Sequence, residues 1–354
     1  MKRPVVAFLV LALPVLAGAM FGAVDVLAAE PVRIGVIGLD SSHPVAFAKL
    51  LNQAAEDDVE LAGCRIVAAN PKGSYDLEVS VVRQPGITQQ MVELGVGITE
   101  SIDELLGKVD AVLVCSNDGH VRLAQTLQVL RAGKPVFIDK PASASLADLI
   151  AMYTAAKELG VPIFTSSTLR YIERVDEHAA GQHGKVLAAD TFGPAALEPS
   201  HPDLYWYMIH AVEPLVAIMG PDIESVSRTH SEGQDVVVAR WKDGRIGTVR
   251  GMRDHNPGFG GMVFTDKGTS QLGERRDFRP LTLDILHMFR TGEVRIPMEQ
   301  SIAIYALMDA ADESKRLGGA AVNVPELIAK AREKAVERLT EANAALDEAA
   351  KPPR

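Results

Sequence analysis

Between Val32 and Ser166 the chain alternates short, unbroken apolar runs with stretches of helical periodicity, and few architectures accept that rhythm. The runs are VRIGVIG, CRIVAAN, DAVLVCS, PVFIDK and VPIFTS. A strand that is apolar on both faces must be covered on both, as in a parallel sheet under helices. The intervening segments HPVAFAKLLNQAAE, ITQQMVELG, SIDELLGK, GHVRLAQTLQVLRAG and SLADLIAMYTAAKELG read as those helices. Together they predict a right-handed, doubly wound α/β domain over residues 31–166. Ser101 and Glu104 form a capping box at the start of one helix. Cys64 and Cys115 fall on the expected second and fourth strands, with the first strand between them. That places them roughly 10 Å apart, beyond disulfide reach, so buried free thiols are expected.

Past Ser167 the rhythm changes. KVLAADTFG, IESVSRTHS, QDVVVARW, GRIGTVRG and GGMVFTDKG read as strands joined by turns such as KDGR and DKG, which predicts a largely antiparallel sheet. One helix is expected to cross it around DLYWYMIHAVEPLVAIMG, with two more near LTLDILHMFRTG and MEQSIAIYALMDAADESKRLG. The expected division is a Rossmann-like doubly wound domain over 31–166 and an α+β substrate and oligomerisation domain over 167–322. Residues 323–354 read as a C-terminal amphipathic helix and tail. A length of 354 residues also favours more than one domain.

The first 29 residues stand apart. Lys2 and Arg3 precede an uncharged apolar run from Val5 to Val24, and small residues follow for cleavage near Ala28 or Ala29. This is the layout of a secretory signal peptide, so export to the periplasm or the exterior is expected. The same run is long enough to serve instead as an uncleaved membrane anchor, which takes about 20 apolar residues. The formal charge of −10 argues against nucleic acid as a partner.

The loop after the first strand reads Gly38-Leu39-Asp40-Ser41-Ser42-His43. A dinucleotide fingerprint would place glycine at Asp40 and His43, for approach to the pyrophosphate and for close helix packing. Gly38 still serves the turn. Asp40, Ser41 and Ser42 are good N-caps, and the helix start they precede would favour phosphate. No acid stands at the end of the second strand to hold a ribose. Asn70 and Lys72 stand there instead, which tilts the expectation from NAD toward NADP.

The segment from Val112 to Met152 resembles the glucose–fructose oxidoreductase/inositol dehydrogenase family, written Gfo/Idh/MocA. The resemblance rests on Ser116-Asn117-Asp118, Ala132-Gly133-Lys134 and Asp139-Lys140-Pro141, and on Ser166 to Tyr171, SSTLRY. It implies a nicotinamide cofactor, NAD or NADP, held by Gly38, Asp40, Ser41, Ser42, His43, Asn70, Ser116, Asn117, His120, Asp139 and Lys140. It gives Lys140 a role toward both cofactor and substrate, and implies a cis bond at Pro141. It also implies a small carbohydrate-like substrate touching Lys140, Arg170, Asp203 and His210, and a homo-oligomer.

The family's Asp-x-x-x-His pair is incomplete: His210 is present, but Trp206 replaces the acid. Glu213 and Tyr207 flank His210 at helical spacing and, with Lys140, complete the expected catalytic set. His201, Asp203, His210 and Glu213 have permissive but undiagnostic metal-ligand spacing, so no metal is expected. No nucleophile elbow, P-loop or cysteine-rich zinc motif occurs. The expected function is an NAD(P)-dependent oxidoreductase for a sugar, polyol or related hydroxyl compound. An exported oxidoreductase would need to retain its cofactor tightly. Two alternatives stand beside it: a carbohydrate-binding protein without catalysis, and a lyase or glycosidase using a retained nicotinamide.

Overall fold

The computed structural model describes residues 32–351 apart from 56, 75, 275 and 276, so the signal peptide or anchor expected over residues 1–29 lies outside the described residues. Strands β1 (Val32–Ile37), β2 (Cys64–Asn70), β3 (Gly97–Ile98), β4 (Ala111–Val114), β5 (Val136–Asp139) and β6 (Ile163–Ser166) form one sheet in the order β3-β2-β1-β4-β5-β6. All its pairs are parallel. Helices α1 (His43–Asn52), α2 (Glu78–Glu93), α3 (Ile102–Leu106), α4 (Arg122–Arg131) and α5 (Leu146–Leu159) make the crossovers. The winding reverses between β1 and β4, where open α/β sheets bind their ligands. Cys64 and Cys115 are both buried and free, on the two sides of β1.

Local chemistry sets the helix limits. Ser101 Oγ accepts from the Glu104 amide, although the Glu104 carboxylate turns to the Glu100 amide and leaves the capping box half made. Ser145 Oγ caps α5 through the Asp148 amide, and Gly160 closes that helix at φ 66°. Ser145→Ala should therefore lower stability by about 1 kcal/mol, read from the urea midpoint. Helix α2 begins well before ITQQ, because Pro85 and Gly86 lie inside it rather than in a turn. The helix tolerates them on a largely solvent-facing surface, where only Ser80 and Met91 are buried.

The second half contributes α6 (Val175–Ala179), β7 (Val186–Pro194), α7 (Ile209–Met219), β8 (Ile223–His230), β9 (Gln234–Trp241), β10 (Ile246–Met252), β11 (Gly260–Thr265) and β12 (Gly268–Gln271). Helices α8 (Arg279–Thr291) and α9 (Met298–Arg316), strand β13 (Val322–Asn323) and helix α10 (Val324–Ala349) complete it. The sheet runs β12-β11-β7-β10-β9-β8-β13 and is antiparallel except for the central β7–β10 pair. The crossing helix starts only at Ile209, so Trp206 and Tyr207 sit in the preceding turns rather than one helical turn ahead of His210.

The sequence division into consecutive units understates how the halves interlock. Leu281, Ile285, Leu286 and Met288 of α8 share a core with Ile34, Val36 and Phe47 of the first sheet and its helix. Helix α10 packs along α5 and α4, and Arg338 reaches Asp148 at 2.7 Å.

Candidate active site

A cavity of about 480 Å³ opens at the carboxyl end of the parallel sheet, between α1, the loop after β5 and the turns before α7. Ser41, Ser42, His43, Asn117, Asp139, Lys140, Tyr207 and His210 line it, as do Arg83 and Trp206. The first loop explains the missing fingerprint glycines. Gly38 turns at φ 89°, where an added Cβ would lie 2.3 Å from the Ser116 backbone nitrogen. Asp40 is 1% exposed and points away from the cavity, accepting the Asn117 amide at 2.9 Å. Burial raises its pKa above the ordinary carboxylate range. It ties the β1 loop to the β4 loop and does not line the cavity.

Three other residues expected at the cofactor are engaged elsewhere. Asn70 turns its amide to Thr99 O, Ser116 donates to Gln125 Oε1, and His120 is exposed and paired with Asp118. None of the three lines the cavity, nor does Gly38.

Helix α1 presents an uncapped start. The Ser42 side chain makes no capping bond, and the first helical bond belongs to the Ala46 amide. Arg83 stands across from it, and Asn117 Nδ2 is buried there without a hydrogen-bond partner. An electropositive helix end with an orphan donor beside it suits phosphate.

Lys140 follows β5 through a cis Lys140–Pro141 bond. Its loop is fixed by Arg122, a fully buried side chain that donates to the carbonyls of Ser116, Asp139 and Pro141. Tyr305 Oη accepts from the Ala142 amide in the same loop. Beside Lys140, Asp139 Oδ2 meets His43 Nδ1 at 2.5 Å. Burial opposes ionisation of Asp139, but His43, Lys140 and Arg122 outweigh it and hold its pKa below the usual range.

His210 is oriented from behind. Ser167 Oγ accepts the Leu169 amide at 3.1 Å and lies 2.6 Å from His210 Nδ1. A hydroxyl that already accepts uses its own proton best by donating to Nδ1, so the neutral ring carries its proton on Nε2. Glu213 in turn accepts from Ser166 Oγ at 2.5 Å and from the Ser167 amide at 2.8 Å. This Glu213–Ser167–His210 chain replaces the acid absent at Trp206. Tyr207 and Phe259 pack on the ring at 5.3 and 5.6 Å.

Glu213 is wholly buried outside the cavity lining and acts through His210, so it is a positioning residue rather than a catalytic one. Burial pushes its pKa up to about 7, against the opposing charge of Arg170 and the hydrogen bonds of Ser166 and Ser167. A carboxyl raised in the folded state stabilises below its unfolded pKa, and that contribution is lost as pH rises through about 7. Glu213→Gln should therefore gain on the native chain by on the order of 1–3 kcal/mol between pH 5 and pH 8, seen as a widening gap in Tm.

Arg170 is buried behind the cavity, and Asp203 pairs with Arg228 and Lys315. Neither lines the substrate space expected of them. The four spaced metal-type residues also do not converge. Among the described residues Asp118, His120 and His201 do, with ligand atoms within 4.8 Å. His201 Nε2 there accepts the Gly119 amide, and burial pushes its pKa down to about 4. Sequence reasoning missed Arg83, Arg122, Phe259 and Phe278. The first lay ahead of ITQQMVELG in a stretch given no element, and the last two beside loops with no periodic signal.

Fold and cavity define a two-sheet protein of Rossmann type whose ligand space sits at the end of the parallel sheet. Residues 32–167 match the family model of the Gfo/Idh/MocA oxidoreductases, NAD-binding Rossmann fold. A 1,5-anhydro-D-fructose reductase of Ensifer adhaerens is 32% identical over 176 residues, 44% of this chain and 52% of that protein. A myo-inositol 2-dehydrogenase of Thermotoga maritima is 28% identical over 219 residues, 54% of this chain and 65% of that protein. The chain thus spans between half and two-thirds of the length of these curated relatives. The crystal structure of scyllo-inositol dehydrogenase from Lactobacillus casei, with bound NAD(H) and scyllo-inositol, superposes at a TM-score of 0.66. It covers 84% of this chain and 100% of that one at 14% identity, a likeness of fold.

Proposed function

We propose that the protein is an NAD(P)-dependent oxidoreductase for a small polyol or sugar, working in the cavity between the sheets. The observation that carries this reading is the convergence of Lys140 and His210 on one cavity with the uncapped start of α1. The names of the relatives, an inositol dehydrogenase and an anhydrofructose reductase, support the substrate class. The residues present fit a dinucleotide whose phosphates lie over the α1 start beside Arg83 and Asn117, while Asp40 holds the β1 and β4 loops together. Arg83 and the exposed Lys72 support NADP over NAD.

When bound, the nicotinamide supplies the hydride donor or acceptor. His210, protonated on Nε2, donates to the substrate oxygen in the reducing direction, and Lys140 orients that oxygen. The layout of residues 1–29 supports export, with the cofactor retained. The exposed Val238, Ile246 and Met262 on the outer sheet face support a homo-oligomer.

Native mass spectrometry of the chain purified without nucleotide, followed by NAD and NADP titration, tests the reading. Retained dinucleotide, or saturable binding weakened in Arg83→Ala, is the expected result. Absence of both leaves a carbohydrate-binding role on the same fold.

A further inference from the structure

We infer that His43 and Asp139 form a second proton-transfer centre in this cavity, suited to removing a proton from the carbon next to a substrate carbonyl. The inference rests on the sugar or polyol reading above and extends it to enolisation beside a carbonyl. His43 occupies the fingerprint position where glycine would bring helix and cofactor close, and its ring lines the cavity instead. Asp139 is 3% exposed and accepts from His43 Nδ1 at 2.5 Å, and Phe278 packs edge-on against the ring at 5.2 Å. A carboxylate on Nδ1 holds that nitrogen protonated and leaves the lone pair on Nε2. His210 has the opposite tautomer, since Ser167 engages its Nδ1 as acceptor.

One cavity therefore holds an imidazole base and an imidazole donor, their roles set apart by their neighbours. In the step, the C–H bond breaks and its proton passes to His43 Nε2. The electron pair moves onto the carbonyl carbon–oxygen unit as an enolate, which accepts the hydrogen bond of His210 Nε2–H. The proton then returns from His43 Nε2 to the same face of the carbon, or is exchanged with solvent before it returns. No oxidant or reductant is consumed.

The test is deuterium exchange. Full-length protein is incubated in D2O with 1,5-anhydro-D-fructose and no nucleotide, and incorporation next to the carbonyl is followed by NMR. Protein-dependent exchange is expected, falling at least 100-fold in His43→Asn, a variant that can still donate to Asp139. In Asp139→Asn the exchange should slow roughly 10-fold, and ¹⁵N-histidine spectra should show the His43 tautomer change, which a loss of packing alone would not produce. Undiminished exchange in His43→Asn overturns the proposal. So does an absence of exchange in wild-type protein that nonetheless oxidises NADH with the same ketone. Failure to bind or oxidise either NADH or NADPH while exchange persists would instead sink the oxidoreductase reading and leave the dyad standing.

Discussion

Replacing His210 with Asn should lower turnover of a ketone substrate by about 10²–10⁴-fold, the range typical of losing a positioned proton donor. The loss should fall on kcat more than on KM, because the bond from Nε2 to the substrate oxygen strengthens as charge develops there. Ser167→Ala should be milder, roughly 10-fold, since it removes the group that orients the ring and leaves the ring itself. Steady-state kinetics of NADH oxidation would separate the two. A His210→Asn enzyme with unchanged kcat would move the donor role to Lys140.

Arg228→Met should destabilise the fold by about 3–5 kcal/mol, the usual result of removing one partner from a buried ionic cluster. Arg228 is 1% exposed and serves three carboxylates at once: Asp235 at 2.7 Å, Asp203 at 2.9 Å, and Asp312. Burial already pushes the Asp312 pKa up to about 7. Without the guanidinium, Asp312 has to take up a proton, and the loss in urea midpoint should be smaller at pH 5 than at pH 8. Equal losses at both values would show that packing, rather than charge, dominates at this position.

Much of this molecule is legible in its sequence because the first sheet is built from unbroken apolar strands. Their burial on both faces announces a parallel core, and their ends announce the crevice. The second sheet was equally readable from its turns, down to the residues of β7 to β11. Functional contacts were harder to read wherever a side chain could face either way. Asp40 reads as an obstacle to phosphate, but a loop alone does not reveal that its carboxylate turns inward to the Asn117 amide. Asp203 has a suitable spacing from His210, yet Arg228, on the strand that follows α7, claims it. Ser167 drew no notice as the partner of His210, because a serine in SSTLRY has no periodic or spacing signature. Lys140 and His210 were visible because they stand in a motif or at a helix start.

The path of the chain also bears on how the protein comes into being. Helix α8 covers part of a sheet whose strands are all complete by Ser166, and α10 packs over the helices α4 and α5 that flank that sheet. On the ribosome, the early sheet emerges first and then waits for well over a hundred further residues before its apolar surface is closed. A nascent chain of this design keeps that surface open to chaperones until α8 has been made, so its first sheet completes its packing late rather than as a unit of its own.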